Sequence, residues 1–298
     1  MNKNKIIAVV VTYNRKELLK ENIDALLGQS YSDFDILIID NNSNDGTADL
    51  IKSYKNERIF YINTGANIGG AGGFALGVKE AIKRGYDYCW LMDDDTIPEK
   101  DALKSIVNKV EILEGKFSFI NSLAKWEDGS VCLMNVPIID GEWYKDYEKI
   151  RYNIIPLLEC SFVSCFINIE IAKRVGLPIK EFFIYGDDVE YTLRLRGQER
   201  GYLDLDSIVI HKMPSNRTTD IVNESEERID RYFFKFRNEF YVAKRLNREE
   251  VIKYFVRFFV TLYKIIRYSK SKKLKRIFVL IKGYVQGIFF NPSIENLQ

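Results

Sequence analysis

The chain has 298 residues, 46% of them hydrophobic and 29% charged, with a formal net charge of +2. That composition builds a substantial core and excludes a disordered chain, and the length fits one or two domains. Four scattered cysteines exclude a disulfide-built scaffold and a zinc site, and no apolar run reaches the roughly 20 residues of a membrane span.

Ile6–Thr12 reads as a buried strand. Its place after Lys3 and Lys5 imitates a signal peptide, but the apolar run is too short and no small-residue cleavage site follows. Residues 15–27 carry apolar side chains at helical spacing. Residues 36–40 form a second strand, closed by the turn cluster Asn41-Asn42-Ser43-Asn44-Asp45-Gly46. Residues 47–54 read as a helix and residues 58–63 as a third strand. A Gly-rich loop from Gly69 to Gly73 leads into a helix over 74–84, and residues 88–92 are the fourth strand. Strands alternating with helices predict an α/β fold with a mainly parallel sheet flanked by helices. Ligands of such sheets sit at the carboxyl ends of the strands. Thr12, Asp40, Asn67 and Asp93 fall at or just after those ends.

Further on, Asp128-Gly129 marks a hairpin turn, and residues 157–169 read as one strand. Gly186 opens a helix to residue 200. Residues 207–210 form a short strand that ends at the only histidine, His211. Residues 212–228 are polar and loop-like. From residue 229 onward the pattern is helical, with aromatic and basic residues interleaved.

Asp93-Asp94-Asp95 ends the fourth strand. Carboxylates this close raise one another's pKa unless a cation relieves them. In an extended segment Asp93 and Asp95 share a face while Asp94 points away. Two hard oxygen ligands suit Mg²⁺ or Mn²⁺, which commonly take substrate phosphates as further ligands. The residues alone leave His211 open between a structural histidine and a third ligand. The glycines after the third strand lack the Gly-Lys-Ser/Thr ending of a P-loop. They exceed what one turn needs, which predicts close backbone approach to a substrate. Asp187 fits a helix N-cap with Glu190 completing a capping box. That leaves Asp188 free to act as a general base.

The segments Val9 to Arg15, Ile39 to Ser43, Asn67 to Phe74, Asp93 to Asp95 and Gly186 to Glu190 occur in this order. Together they resemble family 2 inverting glycosyltransferases of the GT-A fold, over about residues 5–245. The nearest subgroup is the galactofuranosyltransferase and rhamnosyltransferase type. The resemblance implies a GT-A, Rossmann-like sheet with a helical C-terminal extension, a nucleotide-sugar donor, a divalent metal and a glycan acceptor. It implies that Thr12, Tyr13 and Arg15 hold the nucleotide base and diphosphate. Asp40 and Asn41 match the base- and ribose-contacting strand end, and Asn67 and Gly70 the loop lining the donor site. Asp93 and Asp95 match the metal-binding aspartates, Asp94 a donor contact, Asp188 the catalytic base and His211 the histidine that completes metal coordination. The segment Ser161 to Phe166 replaces tryptophans that galactofuranosyl polymerases carry before the base, which argues against a processive polymerase.

Residues 251–290 contain ten Lys or Arg and no Asp or Glu, which leaves the rest of the chain near −8. A basic amphipathic helix with aromatics fits an anionic membrane surface. Packing on the catalytic part, a dimer interface and nucleic acid are the competing readings, the last without a recognisable binding module.

The sequence therefore predicts two parts, a glycosyltransferase domain at 1–245 and a basic helical region at 246–298. The expected activity is metal-dependent transfer of a sugar, galactofuranose from UDP-galactofuranose first, to a lipid-linked cell-surface polysaccharide. Mn²⁺ or Mg²⁺ is the expected cofactor. The expected location is cytoplasmic, peripheral on the inner face of the cell membrane, in keeping with free cysteines. Other donor sugars, a nucleotidyltransferase and a non-catalytic nucleotide-binding scaffold are the alternatives.

Overall fold

The computed structural model describes residues 4–297. Its amino-terminal half alternates strands and helices: β1 (Ile6–Thr12), α1 (Lys16–Leu27), β2 (Asp35–Asp40), α2 (Thr47–Ser53), β3 (Ile59–Asn63), α3 (Gly69–Lys83) and β4 (Tyr88–Asp93). The short β5 (Thr96–Pro98), α4 (Ala102–Ile112) and β6 (Phe119–Lys125) follow. Then come β7 (Ile138–Ile139), β8 (Ile154–Glu159), β9 (Cys165–Asn168), α5 (Ile169–Val175), α6 (Asp187–Arg196) and β10 (Gly201–His211). The chain closes with α7 (Tyr232–Leu246), α8 (Arg248–Tyr268) and α9 (Lys273–Phe289).

All the strands join one sheet in the order β3-β2-β1-β4-β9-β6-β10-β8-β7, with β5 pairing to β10 off that path. β3, β2, β1 and β4 are parallel neighbours. β9 runs antiparallel between β4 and β6, and β10 is parallel to β6. The carboxyl ends of β1, β2, β4 and β10 thus share one edge, which carries Thr12, Asp40, Asp93 and His211.

β1 is buried along its whole length, as expected of a strand covered on both faces. Ile6, Ala8 and Val10 enter the core under α1 and α4, while Ile7, Val9 and Val11 enter the core under α3 and α6. A third core gathers Tyr232, Phe236 and Phe240 of α7 with Tyr254 and Ile265 of α8 and Leu280 and Tyr284 of α9. The chain then returns to the sheet, where Leu177 N donates to Glu295 O at 2.9 Å. No helix among the described residues is long and apolar enough to cross a membrane.

Four sequence expectations change. The Gly-rich stretch is not a loop, because α3 begins at Gly69 and contains its glycines. A Cβ on Gly73 would come 2.6 Å from Val11 and one on Gly77 would come 2.3 Å from Val9. These glycines let α3 lie directly on β1, which outweighs their poor helix propensity. Residues 157–169 form two strands, β8 and β9, because Phe162–Ser164 turns as a 3-10 helix between them. β10 is much longer than residues 207–210, since it continues through Asp204 and Asp206 across a register shift. The helix from Gly186 stops at Arg196 rather than residue 200, with Gly197 at its C-cap. The hairpin turn at Asp128-Gly129 forms as expected, with Trp126 N donating to Ser130 O at 2.7 Å and Gly129 at φ +84°.

Candidate active site

The strand β4 ends at Asp93, and Asp94-Asp95 make a tight turn into β5. The segment is therefore not extended, and Asp94 does not point away from its neighbours. Thr12 Oγ1, at the end of β1, donates to Asp94 Oδ2 at 2.8 Å. One guanidinium nitrogen of Arg15 donates to Asp94 Oδ1 at 3.3 Å and also to Asp95. His211 Nε2, at the end of β10, lies 3.1 Å from Asp95 Oδ1. Its other ring nitrogen donates to Asn135 Oδ1 at 2.7 Å. Asn135 is held in turn, because its Nδ2 donates to Ser161 Oγ at 3.0 Å.

Asp94, Asp95 and His211 are buried and Asp93 is half-buried, which shifts their pKa values. Burial, then the charge of Asp95, pushes Asp93 up to about 7. Burial lifts Asp94 to about 6 against the pull of Arg15. Burial would also raise Asp95, but His211 and Arg15 hold it below the ordinary carboxylate range. Burial alone would lower His211; its contacts with Asp95 and Cys132 and the charges of Asp95 and Asp93 lift it to about 10.

The fit of a divalent cation rests on this arrangement. Among the described residues no hydrogen-bond donor reaches the Asp93 carboxylate, and the charges of His211 and Arg15 offset its burial only in part. Two carboxylates and an imidazole form a suitable donor set for Mn²⁺ or Mg²⁺. Among the described residues no three acidic, histidine or cysteine side chains already form a cage. Asp95 and His211 engage each other instead, and Arg15 compensates the turn. The residues fit a cation; the cage is not preformed.

The residues expected on the donor side divide. Asp40 is fully buried, and its two oxygens accept from Ser43 N at 2.8 Å and Tyr61 Oη at 2.6 Å. Asn67 Oδ1 accepts from Gly69 N at 2.9 Å. Both therefore shape the backbone at the strand ends. Asn41 Nδ2 donates to Gly69 O at 3.1 Å, while its buried Oδ1 has no partner. Tyr13 is 44% exposed. Gly70 is the one glycine of the Gly69–Gly73 stretch with open space where a Cβ would stand.

Asp188 sits in the first turn of α6, partly exposed, with a pKa raised by burial. The predicted capping box does not form. Gly186, at φ +80°, holds the N-cap position and Asp187 is already helical. Glu190 pairs with Arg194 at 2.8 Å. The reason is the left-handed approach, in which Phe183 and Tyr185 also have positive φ. Such residues are strained unless their surroundings hold them. Asn238 of α7 does so: its Nδ2 lies 3.0, 3.1 and 2.8 Å from the carbonyls of Phe182, Ile184 and Tyr185. Asp187 feels burial first, then the charges of Asp188 and Asp93, all of which raise it. The start of α6 and the acidic turn thus share one electrostatic environment. Sequence reasoning missed Asn135 and Asn238; an isolated asparagine in an irregular stretch or inside a helix carries no spacing signal.

A mainly parallel sheet with this acidic turn at its carboxyl edge defines a GT-A-type fold. Residues 7–161 match the family described as Glycosyl transferase family 2, and the chain belongs to that family. It is 28% identical over 204 residues to galactofuranosyltransferase GlfT1 of Mycolicibacterium smegmatis, covering 64% of this chain and 65% of that protein. It is 26% identical over 258 residues to GlfT1 of Mycobacterium tuberculosis strain H37Rv, covering 80% and 82%. Among solved structures, mannosyltransferase PcManGT of Pyrobaculum calidifontis, in complex with GDP-Man and Mn²⁺, superposes with a TM-score of 0.58 at 14% identity. That superposition covers 98% of this chain and 77% of PcManGT.

Proposed function

We propose that the chain transfers a sugar from a nucleotide-diphosphate donor to a glycan hydroxyl, with inversion at the anomeric carbon. The observation that carries this is the convergence of Asp93-Asp94-Asp95, Arg15 and His211 at one sheet edge, near the first turn of α6, which carries Asp188. Galactofuranose from UDP-galactofuranose is the first donor to test, given the names of the two mycobacterial relatives. A rhamnosyl or other hexosyl donor would use the same residues. The acceptor is a growing, lipid-linked cell-surface polysaccharide. The catalytic part is residues 1–245, and residues 246–298 form a basic helical part that meets the inner face of the cell membrane.

Asp93, Asp95 and His211 would hold Mn²⁺ or Mg²⁺, which supplies neutralising charge for the departing diphosphate. Thr12, Tyr13, Arg15, Asn41, Gly70 and Asp94 line the donor side, with Asp40 and Asn67 fixing the backbone around them. Asp188 accepts the proton of the acceptor hydroxyl as its oxygen bonds to the anomeric carbon. The bond from that carbon to the diphosphate oxygen breaks, and the electron pair leaves with the nucleotide. A raised pKa makes Asp188 a better base than an exposed aspartate. Holding acceptor oxygen and anomeric carbon in line supplies much of the rate.

The experiment is transfer from UDP-galactofuranose by wild type and Asp188→Asn. The variant should lose at least a hundredfold in kcat. A rate near that of wild type would remove Asp188 from the role of base. A thermal-shift panel of nucleotide sugars with Mn²⁺ identifies the donor, since a true ligand stabilises by mass action.

A further inference from the structure

Helix α8 carries two apolar stripes where a packing helix needs one. The inner stripe, Tyr254, Phe258, Leu262 and Ile265, is in the third core. The outer stripe is Ile252, Phe255, Phe259, Tyr263 and Ile266, all exposed, with Phe259 at 68%. Its spacing of three and four residues marks a continuous helical face. Helix α9 repeats the arrangement. Val279, Leu280 and Tyr284 face inward, while Leu274, Phe278, Ile281, Val285, Ile288 and Phe289 are exposed, Leu274 at 84% and Phe289 at 80%.

The outer stripes are not waiting to rotate inward. A Cβ on Gly283 would come 2.7 Å from Phe236 Cβ, and one on Gly287 would come 3.1 Å from Arg237 O. α9 is therefore seated on α7 through its glycines. Arg276 is 2% exposed, and its guanidinium donates to Ile221 O, to Glu224 O at 2.8 Å and to Ser271 O at 3.0 Å. Those bonds fix the rotation of α9 about its axis. Monomers rarely leave apolar stripes of this length in water.

The charge around the stripes selects what covers them. Lys272 and Lys275 meet Glu226 at 3.6 Å and Asp230 at 2.9 Å. Among the described residues Lys264, Arg267, Lys270, Lys273 and Lys282 have no acidic partner. A second copy of this chain would bring the same unpaired cations against them, because a two-fold interface is self-complementary. An anionic bilayer offers both an apolar interior and the opposite charge.

We propose that the outer faces of α8 and α9 together form a docking plate that inserts into the headgroup region of an anionic membrane. The plate acts without a spanning segment, through the exposed rings of Phe259 and Phe278 and the lysines without acidic partners. This deepens the membrane contact in the proposed function and rests on that reading for its purpose. α7 links the plate to the site, since its Phe236 packs on α9 and its Asn238 holds the loop before Asp188.

The test is sedimentation of the full chain with phosphatidylcholine vesicles and with vesicles containing 30% phosphatidylglycerol. Wild type should partition onto the anionic vesicles only, and less at 0.5 M than at 0.1 M NaCl. The double variant Phe259→Glu, Phe278→Glu changes two exposed positions and should keep its melting temperature while losing partitioning at least tenfold. Wild type that stays in the supernatant, or a variant that sediments as wild type does, overturns the proposal. Light scattering that shows a wild-type dimer and a monomeric variant assigns the face to self-association instead and also overturns it. Vesicle binding that follows these expectations without any sugar transfer would remove the proposed enzymatic function and leave the docking plate standing.

Discussion

Asn135 Oδ1 lies 2.7 Å from His211 Nδ1, on the side of the ring away from Asp95. An amide oxygen accepts and cannot donate, so this bond keeps a proton on Nδ1 and turns Nε2 toward Asp95, where the proposed cation would take it. Asn135→Leu should weaken Mn²⁺ binding about 10- to 100-fold, the usual range for a group that orients a metal-binding histidine. Asn135→Asp keeps the acceptor and should retain binding. Titration calorimetry with Mn²⁺ reads both without any turnover. Equal affinities for Leu and Asp variants would show that the asparagine only fills space.

Asn238 satisfies the carbonyls of a loop whose Phe183 and Tyr185 hold positive φ. Asn238→Ala leaves buried acceptors unpaired, at about 1–3 kcal/mol, and lets the strained backbone relax. The expected kinetic result is a kcat lowered about 10- to 100-fold through misplacement of Asp188, with donor KM nearly unchanged. A rise in donor KM at constant kcat would assign the residue to donor binding.

The glycines of α3 separate by function. Gly77→Ala forces a methyl group to within 2.3 Å of Val9 and should cost about 1–3 kcal/mol, as overpacking does. Gly70→Ala meets open space, so thermal unfolding should show no loss. Its added methyl should instead raise the donor KM several-fold. A destabilised Gly70→Ala with normal KM would contradict the proposed donor side.

Burial, with the charges of Asp188 and Glu250, pushes Glu159 up to about 7 from 4.5. A carboxylate whose folded pKa exceeds its unfolded value destabilises once it ionises. The penalty is absent below about pH 4.5, grows between there and 7, and is full above. Glu159→Gln should therefore match wild type near pH 4.5 and exceed it at pH 8 by on the order of 2 kcal/mol. Paired melts across this range check the sign, and a gap that narrows as pH rises would refute the assignment.

The residues of the edge were legible wherever a local pattern announced them. β1 reads as a strand because seven apolar or β-branched residues run together, and Asp93 to Asp95 stand out because like charges do not cluster without reason. The conformation of that turn was not legible. Asp94 and Asp95 are bent by the pairing of β5 with a strand more than a hundred residues later, which no local window contains. The loop reading of the glycines failed for a related cause: Gly73 and Gly77 are small so that α3 can lie on β1, and contact across sequence is invisible to propensity. Asn135 and Asn238 act through partners 76 and 53 residues away.

Gly69 and Phe183 come closer than any side chain would permit. A Cβ on Gly69 would stand 2.2 Å from Phe183 O, and Ala71 N donates to that same oxygen at 3.2 Å. The start of α3 and the approach to Asp188 are therefore riveted backbone to backbone. On the proposed function, a nucleotide that shifted the glycine turn would move with it the peptide five positions before Asp188. Loading of the donor side and placement of Asp188 would then be geared to one another through this contact.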